Sequence, residues 1–316
     1  MVTEVTPRLA AERATTPTRR GRPRRRVGVS RRYRWVGLAF VAPGLLLYGF
    51  VVLFSLFRSV SYSFYKWDGI TKATWVGVQN YTTFFTDPVL LGSLGHVLVL
   101  VVFFAVLPIL LGLMSAAMLG RRQRPGAGFF RWVLFLPQVI TSVVIAIIWK
   151  RIYSPNGPIN ASLRAAGLDR LVHNWLGDFN LALPALGVIG TWAGFGFCMV
   201  LFTAGVAAIP NELYEAAEMD GAGAFRRFLA VTLPGLRAQL SVALVLTVTA
   251  ALRTFDLVWI TTHGGPGTST MTPAALLYKA AFQNPQVGLA SAIGVIVAVL
   301  CLAVALLITR VSERGS

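Results

Sequence analysis

The chain has 316 residues, of which 55% are hydrophobic and only 13% charged, with a mean hydropathy of +0.66. A soluble domain carries about 25% charge, so the long uninterrupted apolar runs exclude a water-covered globule and point to a bilayer as solvent. The net charge of +17 would suggest nucleic acid, but the charge is placed too unevenly for that, and no nucleic-acid partner is expected.

Eleven of the 29 basic residues lie before Trp35, from Arg8 to Arg34. This Thr/Pro/Arg-rich stretch has no apolar period and cannot bury a core, so residues 1–34 are expected to be a disordered basic tail held on the cytoplasmic side. Val36 to Phe57 then runs 22 residues without a charge. That exceeds the roughly 7–15 residues of a signal-peptide core, so it reads as a retained first span.

Crossing about 30 Å takes about 20 residues, and six runs qualify: about 36–57, 93–119, 130–149, 184–209, 238–262 and 288–309. The fourth is the clearest, with no charge between Asp178 and Glu212. The third is short, with Arg131 and Lys150 bracketing 18 residues and Trp132 and Trp149 just inside them like two interfacial belts. The fifth is interrupted by Arg253 and Asp256. The two tails with the 120–131 and 210–237 loops hold 20 Lys/Arg, against eight on the opposite loops. The positive-inside rule therefore puts both termini in the cytoplasm, with residues 311–316 as a short cytoplasmic tail.

Two outer loops have character of their own. Residues 58–92 are rich in aromatics, which suits either a docked extracellular partner or rings lying on lipid headgroups. Residues 153–183 carry Pro155-Asn156-Gly157-Pro158, a turn signal. The inner loop after span four is more distinctive. Pro210 or Asn211 can start a helix whose acidic residues suit its N-terminal end, and Gly221 can stop it. A second helix, Ala224 to about Thr232, mixes arginines with Phe225, Phe228 and Leu229, and Pro234 follows. Such an amphipathic element fits a partner's groove.

Glu215-Ala216-Ala217, Gly221 three residues beyond, and Val231-x-Leu233-Pro234 after a nine-residue gap resemble the EAA signature of ABC importer permeases, with Val231 where isoleucine is frequent. Ala42-Pro43-Gly44, Gly77-Val78-Gln79-Asn80-Tyr81, Leu136-Pro137, Trp149-Lys150, Phe255-Asp256-Leu257-Val258-Trp259 and Gly264-Gly265-Pro266 are similar to the carbohydrate-uptake branch (maltose, glycerol-3-phosphate and oligosaccharide type). The resemblance implies an all-α integral membrane fold with six spans over 35–310, the type I ABC importer permease architecture, in the bacterial cytoplasmic membrane. It implies that residues 210–236 dock a separate ATPase through Glu215, Ala216, Ala217 and Gly221, with Leu233 and Pro234 leading into span five. It also implies alternating access, a second homologous permease, two ATPase copies and an extracytoplasmic sugar-binding protein.

No Gly-x-x-x-x-Gly-Lys-Ser/Thr loop occurs in the sequence, so ATP and Mg are expected on the partner ATPase and no cofactor in this chain. His96, His173 and His263 lack metal spacing, Cys198 and Cys301 lie in apolar runs, and no nucleophile–base pair suggests an enzyme. Arg253 and Asp256 would each cost ~2.5–3.5 kcal/mol at a helix centre facing lipid. On a continuous helix their i, i+3 spacing puts them on one face, where they can pair. They are read as lining the solute pathway, with Trp192, Phe195 and Trp259 as flat faces for sugar rings. A purely structural pair is the competing reading. For the whole chain, the alternative is a secondary transporter driven by an ion gradient, which would need a midplane ion site.

Overall fold

The computed structural model describes residues 31–119 and 126–313. The basic stretch before Arg31 and the Arg121, Arg122 and Arg124 cluster lie outside them, and with them most of the charge asymmetry used above. The first helix begins at Arg31, inside the stretch expected to be tail, and the last runs on to Glu313.

Among the described residues five helices are long and apolar enough to cross a membrane: Ala39–Tyr62, Pro88–Met118, Ala182–Ala207, Arg237–Thr261 and Val287–Glu313. The third expected span is not a straight helix. Gly128–Val139 and Ser142–Ile152 meet at 99°, with Ile140 and Thr141 in extended backbone between them. Pro137 removes a backbone donor one turn earlier, and the β-branched Ile140 and Thr141 with Ser142 favour the helix least there. Hydropathy registers charge and not direction, so the bend was invisible to it. The bend also removes Trp149 from the role of interfacial belt: its ring packs on Tyr153 at 5.1 Å and on Trp192 at 5.5 Å.

The described residues up to Phe54 form one compact unit and those from Ser55 onward another. Within the second unit the fourth span is the axis. Its Leu186 and Ile189 share a core with Leu100, Ala146 and Val258, and its Cys198, Phe202 and Val206 share another with Ile109, Leu236 and Ala243. Lipid tails are as apolar as these side chains, so close backbone approach has to supply the attraction. A Cβ on Gly196 would strike the Leu134 carbonyl oxygen, and one on Gly190 would enter the Phe104 ring.

The aromatic stretch after the first span folds on itself. Tyr65–Lys66 pairs with Thr74–Trp75 as an antiparallel hairpin, and the Asn80 amide donates to the Ser63 and Tyr65 carbonyls at 2.8 and 2.9 Å. Phe64 stacks on Trp75, and Tyr65 meets the same ring edge-on. At the hairpin tip the backbone N–H groups of Ile70 and Thr71 donate to Asp68, holding its carboxyl below the usual carboxylate range. After the bent span, the helix Pro158–Ala165 buries Asn160, which accepts from the Trp175 indole at 2.9 Å and donates to the His173 carbonyl at 2.9 Å.

Gly196→Val is expected to destabilise the detergent-solubilised chain by about 1–3 kcal/mol through overpacking. A lowered thermal midpoint by tryptophan fluorescence would show it. Gly128→Ala, with open space around the added carbon, is expected to leave the midpoint in place.

Candidate functional site

Two features stand apart from the packed helices: the loop between spans four and five, and a cavity among spans two to five. The loop is a helix, Asn211–Met219, then Gly221 at φ +72°, then Ala224–Arg227, a widened π turn at Phe228–Thr232, and Leu233–Gly235. Helical backbone thus continues past Thr232, with Pro234 inside the last turn. A left-handed φ is open to glycine and strained for a side chain, which explains Gly221 at the joint.

Tyr214 is buried, and its hydroxyl shares a 3.0 Å hydrogen bond with the Thr232 hydroxyl, tying the first helix to the π turn. Phe228 and Leu233 pack against the Phe202–Val206–Leu236 core, so the loop is seated on spans four and five. The opposite side is open. Glu215, Ala216, Gly221 and Pro234 are exposed and Ala217 is half-buried. Met219 and Phe225 are 89% and 76% exposed. Arg227 and Glu218 form an ion pair at 2.9 Å.

The cavity encloses about 420 Å³. Gln138 and Ser142 reach it from the two sides of the third-span bend, and Phe104 from span two. Span four contributes Gly190, Ala193, Gly194 and Phe197. The fifth adds Thr247, Ala250 and the run Arg253 to Leu257. Both breaks in the spans open onto this one space.

The second break is at Arg253–Phe255. The helix Arg237–Leu252 ends there and Asp256–Thr261 begins a new one. The i, i+3 pairing expected of Arg253 and Asp256 therefore does not form, because the backbone between them is not helical. Arg227 forms its ion pair with Glu218, away from this break. Each charge instead meets a helix end of suitable sign: Arg253 caps the negative C-terminal end and Asp256 opens the positive N-terminal end. Both are exposed toward the cavity. The Thr254 carbonyl accepts from the buried Thr272 hydroxyl at 3.0 Å, which satisfies a group freed by the break.

The three expected ring faces do not line the cavity. Span four turns Ile189, Gly190, Ala193, Gly194 and Phe197 toward it. At 100° per residue Trp192 and Phe195 then fall on the far side of the helix. Trp192 instead meets Trp149 edge-on. Trp259 sits one step outside, stacked on Phe255. The aromatic walls are Phe104, Phe197 and Phe255. Their signal was the position of Gly190 and Gly194 relative to the breaks, which hydropathy does not register.

These elements define an all-α, multi-pass membrane protein with a cavity at its helix breaks and an exposed helical loop at one end. The chain belongs to the family of binding-protein-dependent transport system inner membrane components, which its residues 108–315 match. It is thus a component of the bacterial inner membrane. It is 36% identical over 279 residues to the probable ABC transporter permease protein YurN of Bacillus subtilis, covering 87% of this chain and 95% of that one. It is 34% identical to the diacetylchitobiose uptake system permease protein NgcF of Streptomyces coelicolor (98% and 90% covered). It is 32% identical to the multiple sugar-binding transport system permease protein MsmF of Streptococcus mutans (89% and 96%). A chain in the crystal structure of a bacterial ABC transporter that imports the acidic polysaccharide alginate superposes with a TM-score of 0.76 at 23% identity, covering 90% of this chain and 96% of that one, which shows the shared fold.

Tyr214→Phe is expected to weaken the seating of the loop by about 0.5–1.5 kcal/mol, while Glu218→Ala loses an exposed pair worth about 0–1. Limited proteolysis of the intact chain checks this: faster cleavage within 211–235 is expected for the first variant and a smaller change for the second.

Proposed function

We propose that this chain is the permease subunit of an ATP-driven importer that moves a sugar, of di- or oligosaccharide size, into the cytoplasm by alternating access. The observation that carries the reading is the loop's construction. It joins spans four and five directly, is held together by Tyr214–Thr232, is seated on both spans through Phe228 and Leu233, and leaves Glu215, Ala216 and Gly221 open. Those same two spans supply most of the cavity wall. A separate ATPase gripping the loop on the cytoplasmic side would therefore move the helices that shape the cavity.

The sugar assignment is supported by the named substrates of NgcF and MsmF and by a cavity combining ring faces with hydroxyl, amide, guanidinium and carboxylate groups. Such a mixture binds a molecule with apolar ring faces and hydroxyl edges. Arg253 and Asp256 are assigned to hold hydroxyls in the pathway. One chain has one coupling loop, so two ATPases require a second, homologous permease, and solute delivery falls to an extracytoplasmic binding protein. An ion-gradient carrier would not need the exposed loop, and membership of a binding-protein-dependent family argues against it.

Purification of the tagged chain from its host in mild detergent is expected to recover an ATPase and a second permease. The Glu215→Lys/Gly221→Pro variant is expected to lose the ATPase. A parent recovered alone, with transport surviving in the loop variant, would sink the importer reading. Separately, Arg253→Gln/Asp256→Asn is expected to retain the ATPase while sugar uptake falls by tenfold or more, about 1.4 kcal/mol. Undiminished uptake removes the pair from the pathway.

A further inference from the structure

A series of aromatic rings leads away from the cavity, at the end of the fifth span opposite the 211–235 loop. Phe255 lines the cavity. Its ring lies 5.7 Å from Trp259 with the planes 19° apart, and 5.1 Å from Tyr278. Trp259 and Tyr278 are 4.8 Å apart, and Tyr278 is 5.2 Å from Phe282. His263, the non-glycine residue with positive φ, adds its ring 5.3 Å from Trp259. The rings come from separate elements. Helix Asp256–Thr261 and the turn after it carry Trp259 and His263 at i, i+4 spacing. Helix Pro273–Tyr278 and its continuation Lys279–Gln283 carry Tyr278 and Phe282 at the same spacing.

Two observations distinguish this series from an ordinary packed cluster. It opens at both ends, with Phe255 on the cavity wall and Phe282 72% exposed. In addition, Trp259 and Tyr278 are only half-buried, and neither the indole N–H nor the phenol hydroxyl bonds to another described residue. Buried Trp and Tyr normally place those groups on a partner. Here they stand free along the edges of flat apolar faces.

Flat faces edged by free donors suit one chemistry in particular. A pyranose ring has an apolar face of C–H groups and a rim of hydroxyls, so it can lie on the aromatic face while its rim accepts from the N–H and O–H. Steps of about 5 Å let a di- or oligosaccharide keep one ring engaged while the next advances. We infer that Phe282, Tyr278, Trp259 and Phe255 form an entry path that hands sugar rings from the outer end of the fifth span to the cavity. This inference rests on the proposed sugar-importer reading and assigns that reading its outer route.

The test uses the whole complex in proteoliposomes with its binding protein, supplied with radiolabelled diacetylchitobiose, maltose or lactose. Trp259→Ala and Tyr278→Ala are expected to slow uptake about three- to tenfold at saturating sugar, the range for loss of one aromatic contact. Trp259→Phe and Tyr278→Phe keep the flat face but remove the free donor, so they should restore uptake only in part, with ATPase recovery equal in all four. Phe282→Cys, in a Cys198→Ala/Cys301→Ser background, is expected to react with a membrane-impermeant maleimide, and the transported sugar should slow that reaction. Its exposure makes this variant insensitive to packing damage. Alanine variants that take up sugar at the parent rate overturn the path. Labelling indifferent to sugar, or achieved only by a lipid-soluble maleimide, overturns it whatever the uptake rates and marks a lipid-facing belt. A parent complex that takes up none of the three sugars overturns the importer reading as well as the path.

Discussion

The constraint on which the structure depends is that a backbone N–H or C=O cannot stand unpaired in hydrocarbon. An uninterrupted helix satisfies it automatically. A broken one satisfies it only where protein or a water-filled space covers the break. This chain breaks two spans, at Ile140–Thr141 and at Arg253–Phe255, and turns both toward the same cavity. The Thr272 hydroxyl takes the Thr254 carbonyl, and the Thr254 hydroxyl takes that of Ala250. Neither break would be tolerable on the lipid side, so their coincidence is what identifies the cavity as a protein-walled interior space rather than a lipid-facing groove.

The same breaks settle how two opposite charges live at this depth without each other. On a continuous helix Arg253 and Asp256 would have to pair or face lipid at considerable cost. Interrupting the helix creates a carbonyl-rich end beside Arg253 and an amide-rich end beside Asp256, and each charge is partly balanced by the end it sits on. Both side chains then remain available to the cavity.

Much of this was legible in the residues, and what was not has a common cause. The spans, the loop after span four and its joint at Gly221 follow from charge spacing, glycine and proline, which act locally. The seating of the loop could not be read the same way, because it rests on Tyr214 meeting Thr232, 18 residues away. The cavity wall failed for a related reason. Trp192, Phe195 and Trp259 were selected for their chemistry, but which face of a helix turns inward is set by the neighbour, and here Gly190 and Gly196 bring span four against Phe104 and Leu134. The bend after Pro137 was signalled by a proline and a β-branched pair, yet its direction is a tertiary outcome.

The loop and the cavity are connected by one packed helix. The helix Arg237–Leu252 starts at the buried Leu236, on which the loop is seated, and ends at Arg253 on the cavity wall. Its 16 residues span about 24 Å at 1.5 Å each. A packed helix of that length transmits a push along its axis rather than absorbing it, because close-packed interiors rearrange between discrete arrangements instead of deforming smoothly. The compliant points are therefore the two ends: the widened turn at Phe228–Thr232 and the break at Arg253–Phe255. Under the proposed coupling, a motion entering at the first would be released at the second. There it would reorient Arg253 against Asp256, and Phe255 against both the cavity and Trp259.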